Sequence, residues 1–384
     1  MKHPVLTILS LTAFVLSASA QSEMKVNKVL RLQQFGNKSV LTSTDSRLPQ
    51  AVVEFDHATD MTDMPQEVLD FLSSYEEASR RIEAGADPAS VLSIDRSPSA
   101  ALEDSVGPLL GDIAFDQGTP YNDRCPVINN ARAITGCVAT AMSELMAFWQ
   151  YPSVGTGTAT YTGSNGAQTF NFADHPFDWD NILPTYTAGH YTSAQAGAIA
   201  ELMLAAGASV NMNYNSNGSG ANSERVLPAL RDVFGYSPSM EFLHDASDDI
   251  IATVWVACLK KEFNEGRPVY YSGATQTSGH AFVIDGYKTS NGNVLFHVNW
   301  GWNGSYNGWY LITSLRPQNE NYSSYRNDFV FNIRPKGEGI DHIASSETRI
   351  DMNAPVYTIL GNKIPANSMQ RGMIYIQNGR KFVW

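Results

Sequence analysis

The chain has 384 residues, 43% of them hydrophobic, with 26 Lys and Arg against 38 Asp and Glu and a formal net charge of −12. That length and apolar content suit two or three globular domains with a substantial core, and nothing basic points to nucleic acid or an anionic membrane surface as a partner. Three cysteines, Cys125, Cys137 and Cys258, argue against a disulfide framework and leave at least one thiol unpaired within the chain.

Residues 1–20 read as a secretory signal. Lys2 and His3 lead, an apolar run extends from Val5 to Leu16, and Ala18-Ser19-Ala20 supplies a small-residue cleavage pattern. The run is too short to span a bilayer, so the expected product is exported and carries no membrane span. Residues 21–105 form the next unit. A hairpin is predicted over Val26–Leu32 and Ser39–Thr44, a strand near Val52–Phe55, and a helix from Pro65 with Val68, Leu72, Tyr75 and Ile82 on one side. The stretch from Gly85 to Ser90 and Ser97-Pro98-Ser99 read as linker. Residues 51–104 hold 13 Asp and Glu against 3 Lys and Arg, so most of the excess acidity sits in a solvated face or a removable piece.

The third unit, 106–336, opens with helical patterns. One starts at Cys137, with Val138, Ala141, Leu145 and Phe148 at three- and four-residue spacing and Pro152 beyond it. Another spans Ser193–Ala206 with Gly207 as its cap, a third Ser247–Asn264 ended by Gly266, and Ser223–Phe234 is a weaker helical stretch because it contains Pro228. Strands follow at Pro268–Ser272, His280–Tyr287, Val294–Trp300 and Trp309–Ile312. Helices first and an antiparallel sheet second is an α+β layout. Residues 340–384 read as a small β tail with turns at Gly361-Asn362 and Asn378-Gly379.

A thiol at a helix N-terminus meets unpaired N–H groups and the positive end of the helix dipole, both of which favour the nucleophilic thiolate. Taken alone, the Cys137 segment also fits a buried structural cysteine. A nucleophile needs a base, and His280, preceded by Gly279 at the start of a strand, is the best candidate; His297 competes on strand parity. A hairpin turning near residue 290 or 291 puts His280 opposite position 301 and places Asn299 on the same face as His280, where its carboxamide could orient the imidazole. Asp285 then faces the other way and reads as a turn residue. The Cys137 N–H and the Gln117 side chain are candidate oxyanion donors, and Trp300 a candidate shield. No CxxC, HExxH, phosphate loop or dinucleotide fingerprint occurs, so neither a metal nor an organic cofactor is expected.

Five segments together, Gln117-Gly118-Thr119-Pro120-Tyr121-Asn122, Thr135-Gly136-Cys137-Val138-Ala139-Thr140-Ala141, Pro268-Val269-Tyr270-Tyr271, Gly279-His280-Ala281-Phe282-Val283-Ile284-Asp285-Gly286 and His297-Val298-Asn299-Trp300-Gly301-Trp302, closely resemble the streptopain family of secreted bacterial cysteine peptidases. The resemblance covers 106–336. It implies a papain-like fold, with a helical half bearing Cys137 as nucleophile and a β half bearing His280 as general base and acid. It further implies Asn299 as orienter, Gln117 as oxyanion donor, Trp300 as shield, and a substrate cleft at Gly136, Ser219, Gly220 and Gly279. Protein or peptide substrates follow, and 21–105 resembles the family's propeptide, an intramolecular inhibitor that keeps the histidine out of productive geometry until removed. The tail resembles a sorting domain of the type IX secretion route, which implies a cell-surface or extracellular location. Two other readings compete: a papain-like acyltransferase, which usually carries Asp where Asn299 stands, and a non-catalytic adhesin on the same scaffold.

Overall fold

The computed structural model describes residues 22–48, 51–60, 64, 66–86, 105–163, 166–245, 252–274, 279–290, 293–311, 326–336, 356–358, 363–365, 374–377 and 380–383. The secretory segment, Pro65, most of the linker, the first residues of the Ser247 helix and the hairpin turn residues Asn291 and Gly292 lie outside that set.

One long antiparallel sheet runs through both of the first two structured units. The N-terminal unit contributes β1 (Ser22–Lys25), β2 (Leu30–Phe35), β3 (Lys38–Ser43) and β4 (Ala51–Phe55), followed by helix α1 (Gln66–Glu83). After β5 (Ser105–Val106) come two small hairpins, β6 (Val127–Ile128) with β7 (Ala131–Arg132), and β8 (Thr158–Gly163) with β9 (Gly166–Asn171). Helix α2 (Cys137–Trp149) lies between them, and α3 (Ser193–Ser209) follows. The β half holds β10 (Glu241–Asp245), helix α4 (Ala252–Asn264), β11 (Val269–Ala274), β12 (Gly279–Ser290), β13 (Asn293–Asn299), β14 (Gly308–Tyr310) and β15 (Arg326–Phe331). Strand order is β1-β2-β3-β4-β14-β13-β12-β11-β15-β10, with β5 on β12. In the tail, β16 (Val356–Thr358), β17 (Lys363–Ile364), β18 (Ile374–Gln377) and β19 (Arg380–Val383) make a separate four-stranded sheet.

The sheet has two apolar faces, as strand alternation requires when both sides are covered. On one face Tyr270, Ala281, Val283 and Val330 pack against α2 and α3 through Met142, Leu145, Leu202 and Met203. On the other, Tyr271, Phe282, Ile284 and Phe329 join α4 (Leu259, Phe263), α1 (Val68, Leu72, Tyr75) and the N-terminal strands (Leu41, Val53, Phe55) in a second core. The N-terminal unit is thus continuous with the rest: β4 pairs β14 with Phe55 opposite Gly308 and Val53 opposite Tyr310.

Two sequence expectations change here. Helix α3 runs through Gly207 to Ser209 rather than stopping at a glycine cap. Gly207 is there for space: a Cβ would come within 2.1 Å of the Tyr214 hydroxyl oxygen. Helix α3 begins with a full capping box, Thr192 accepting from the Gln195 N–H and Gln195 reaching back to the Thr192 N–H. The second change is a β-bulge in β12 between Ile284 and Gly286. Near the turn, Ser290 pairs Asn293 and Gly286 pairs His297, which is the predicted parity; beyond the bulge Ile284 pairs Val298 and Val283 pairs Asn299. The inserted residue is Asp285, and it reverses which side chains share a face.

Candidate active site

Cys137 is the first residue of α2, and no side chain caps that N-terminus. The helix-capping position is Gly136, at φ 86°. A side chain there would meet both strain and atoms, since a Cβ would lie 2.8 Å from the Met212 sulfur and 2.8 Å from the Ser219 carbonyl. Two of the expected cleft residues, Gly136 and Ser219, therefore touch. The Ser219 hydroxyl donates to the Ile134 carbonyl at 2.7 Å, and Gly220 is fixed by a reciprocal backbone pair with Asn213. Gly279 is exposed at the start of β12, paired with Ala274.

The Gln117 segment is fastened directly to the cysteine turn. Its carbonyl accepts from the Thr135 N–H at 3.1 Å, two residues before Cys137. The preceding peptide unit is held from both sides: the Phe115 N–H donates to Glu144 Oε1 at 3.0 Å, and the Phe115 carbonyl accepts from the Asn303 N–H at 2.7 Å. Gly301 abuts the first turn of α2, where its Cβ position lies 3.0 Å from Thr140 Cγ2. Helix start, Gln117 segment and the end of β13 thus converge.

His280 is present in that neighbourhood but turned away. By alternation it shares a face with Phe282 and Ile284, the face opposite α2. Its ring stacks on Trp302 with centroids 4.3 Å apart and on Trp300 at 5.9 Å. Its Nε2 lies 2.8 Å from the Trp300 carbonyl, so that nitrogen carries the proton. Burial drives the imidazole pKa down to about 4, against the smaller upward pull of the Trp300 carbonyl. The ring is neutral at pH 7.

Asn299 does not orient His280 in this arrangement. Because of the Asp285 bulge it pairs Val283 and points to the α2 side, where its Nδ2 donates to the Ile113 carbonyl at 2.7 Å and its Oδ1 accepts the Gly301 N–H at 3.2 Å. Trp300 is fully buried, and its indole N–H donates to the Tyr310 hydroxyl at 2.9 Å. Asp285 is no turn residue either. It is wholly buried, with Oδ1 2.6 Å from His297 Nδ1 and Oδ2 accepting from the Leu110 N–H at 2.9 Å.

His297, the rival base, is built into an ion pair. Its Nε2 lies 2.9 Å from Asp56 of the N-terminal unit. Burial alone would lower its pKa, but Asp285 and Asp56 overcome this and hold it up to about 9, a fixed cation rather than a proton shuttle at neutral pH. Beside it, Glu54 of β4 bonds to Lys288 at 2.9 Å and Lys38 at 3.2 Å, and these lysines keep its carboxyl below the usual range despite its burial. The cysteines form no disulfide, and burial pushes Cys125 up to about 12 and Cys258 upward. Neither is poised as a nucleophile.

Sequence reasoning passed over Glu144, Trp302 and Ile113. Glu144 carried a signal: it is the only charged residue in an otherwise apolar helix. Trp302 and Ile113 carried none, since their roles come from a ring stack and a backbone carbonyl.

Residues 115–310 match the Peptidase C10 family. Streptopain of Streptococcus pyogenes is 34% identical over 297 residues, covering 72% of each chain. The thiol protease/hemagglutinin PrtT of Porphyromonas gingivalis is 32% identical over 292 residues, 72% of this chain and 33% of that one. Among solved structures, a prointerpain A fragment from Prevotella intermedia superposes with a TM-score of 0.68 at 29% identity, covering 81% of this chain and 98% of that one. Active interpain A superposes at 0.50 with 33% identity, covering 64% and 97%. The α+β architecture is therefore papain-like, with a helical half on α2 and an antiparallel β half, and the chain belongs to the streptopain, or C10, family of cysteine peptidases.

Proposed function

We propose that this chain is a secreted cysteine endopeptidase made as a zymogen, with Cys137 as nucleophile and His280 as the base that accepts the thiol proton and later protonates the leaving amine. The observation that carries the reading is the convergence at Gly136-Cys137: an uncapped helix start bearing a thiol, with the Gln117 peptide on one side and the end of β13 on the other. The Cys137 N–H and the Gln117 carboxamide would bind the oxyanion of the tetrahedral intermediate. The Trp300 ring covers the imidazole from water, and Asn299 acts on the Ile113 backbone. Gly136, Ser219, Gly220 and Gly279 border the cleft for a protein or peptide substrate. Replacing Cys137 with Ala is expected to abolish reductant-dependent hydrolysis of unfolded protein, a loss of at least ~10³-fold; unchanged hydrolysis would refute the reading.

Residues 21–105 are proposed as the inhibitory propeptide. Supporting this, Phe55 packs edge-on to Tyr306 at 6.4 Å, and the Tyr306 hydroxyl donates to the Asp60 carbonyl. Tyr306 in turn packs edge-on to Trp302, the ring stacked on His280. A thiolate–imidazolium pair needs a protonated ring beside the sulfur, and a ring with a pKa near 4 on the far face cannot supply it. Removing the unit frees the 302–307 loop and lets His280 turn toward Cys137. Residues 1–20 are proposed as the export signal and 340–384 as a sorting domain. N-terminal sequencing of the processed wild type and of Cys137→Ala locates the propeptide junction and tests self-cleavage; deletion of 340–384 in a host with the type IX route is expected to trap the enzyme inside the cell, and normal release would refute the sorting role.

A further inference from the structure

Glu144 sits two turns along α2 from Cys137 with no exposed surface, in a helix that is otherwise apolar. One carboxyl oxygen accepts the Phe115 N–H; the other, equally buried, makes no hydrogen bond among the described residues. The Asn299 carboxamide is close enough to favour the ionised form somewhat, but burial dominates, Asp285 adds like-charge repulsion, and the pKa is raised well above the ordinary carboxylate value. A solitary carboxyl in such a place costs stability, and a hydrophobic side chain of similar volume would usually do better there. Its retention calls for a role other than packing.

The role follows from what it joins. Phe115 lies two residues before Gln117, whose carbonyl is already tied to Thr135 beside the cysteine. Asn299 grips Ile113 in the same strap. Asp285, from the β12 bulge, holds the strap further back through the Leu109 and Leu110 N–H groups. Among the described residues, Glu144 is the one side chain of α2 that hydrogen-bonds the strap. We propose that Glu144 is a positioning residue for peptide hydrolysis, fixing the Gln117 segment relative to Cys137 through the Phe115 N–H so that the oxyanion donors stand at the correct separation. The proposal rests on the proposed roles of Cys137 and Gln117. It asks of Glu144 an oxygen acceptor, not a charge, and it predicts an effect on the oxyanion without an effect on the thiol.

The test compares mature enzyme, made from the full chain, as wild type, Glu144→Met, Glu144→Gln, Gln117→Ala and the double variant Gln117→Ala/Glu144→Met. Peptide hydrolysis gives kcat and KM; the alkylation rate of Cys137 by iodoacetamide reports the thiol, because that reaction needs no oxyanion site. Glu144→Met is expected to lower kcat about 10- to 100-fold, with KM and alkylation within about twofold of wild type. Glu144→Gln keeps an acceptor for the Phe115 N–H and is expected to stay within about threefold of wild type in kcat. In the Gln117→Ala background the Met substitution should cost nothing further, because the group it positions is gone. The proposal is overturned if Glu144→Met keeps full kcat, if alkylation falls in step with kcat, or if the two substitutions act independently. Should Glu144→Met not fold, Glu144→Gln still decides: a kcat loss beyond about tenfold there overturns the acceptor role. Failure of the underlying reading shows separately, as wild-type hydrolysis that survives complete alkylation of Cys137.

Discussion

The two faces of the central sheet are covered in different ways. On the α2 face Cys137 stands on a helix buried against α3; Glu144 ties the preceding strap to that helix, and Asn299 and Asp285 tie it to the sheet. On the opposite face His280 lies in an aromatic stack whose cover includes strands and a helix of the N-terminal unit. That unit is further tied to interior strands of the sheet by charged pairs, Asp56 with His297 on β13 and Glu54 with Lys288 on β12. The difference teaches that the proposed nucleophile and the proposed base lie under different kinds of cover. The α2 face is covered by helices of the 106–336 unit itself. The His280 face is closed by a unit whose removal would expose part of it.

Substitutions on the α2 face should harm intact chain and mature enzyme alike, and the largest effect is expected at Gly136. Ala there combines a positive φ with two contacts at 2.8 Å and should cost about 3 kcal/mol or more in denaturant unfolding, with loss of hydrolysis. Next is Gly207→Ala, which drives a methyl into Tyr214 and should cost about 1–3 kcal/mol without a comparable change in kcat. Equal stability in either variant would break the picture of a closely fitted core.

Substitutions in the charged pairs on the N-terminal side should instead affect only the intact chain. Asp56 is one-third exposed, so Asp56→Asn is expected to remove only about 1 kcal/mol. Maturation followed on gels should quicken several-fold while the mature enzyme is unaltered; slower maturation, or altered mature activity, would contradict the contrast.

The Asp56–His297 pair also has a pH signature. His297 is raised from 6.5 to about 9 in the fold, so its contribution is complete below pH 6.5 and is lost as pH rises through 9. Asp56 is lowered from 3.8, so its share is present above that pH and is lost as acid takes it through its folded value. His280 acts oppositely: with its pKa lowered to about 4, the unfolded chain binds the extra proton, and acid below 6.5 progressively penalises the buried ring. Unfolding midpoints of intact Cys137→Ala across pH should therefore fall on both sides of pH 6.5, and a flat profile would contradict these assignments.

Much of this was legible in the sequence because it rests on local pattern. The α2 spacing, the N-terminal hairpin and the strands from Val269 to Asn299 follow from periodicity. The convergence of Gln117, Cys137 and the β13 end was legible only through resemblance, since it joins segments far apart in the chain. The β8–β9 hairpin was missed because its strands are largely exposed and its one alternating strand turns inward only Ala159 and Tyr161 between threonines. The parity that put Asn299 on the face of His280 differs in the structure for a single physical reason. A hairpin argument counts residues from the turn, and one bulged residue, Asp285, inverts everything beyond it. The one local hint of that bulge was Gly286, a glycine inside the strand pattern; what fixes it is the buried Asp285 carboxylate, which pairs with His297 and accepts the Leu110 N–H.

On the proposed zymogen reading, the docked N-terminal unit keeps His280 neutral and out of reach of Cys137. NMR titration of the His280 imidazole, in intact Cys137→Ala and again after the N-terminal unit has been removed, tests it most directly. A value near 4 in the intact chain, rising clearly once the unit is gone, is what this arrangement requires. An imidazole that titrates at the same pH before and after removal would contradict it.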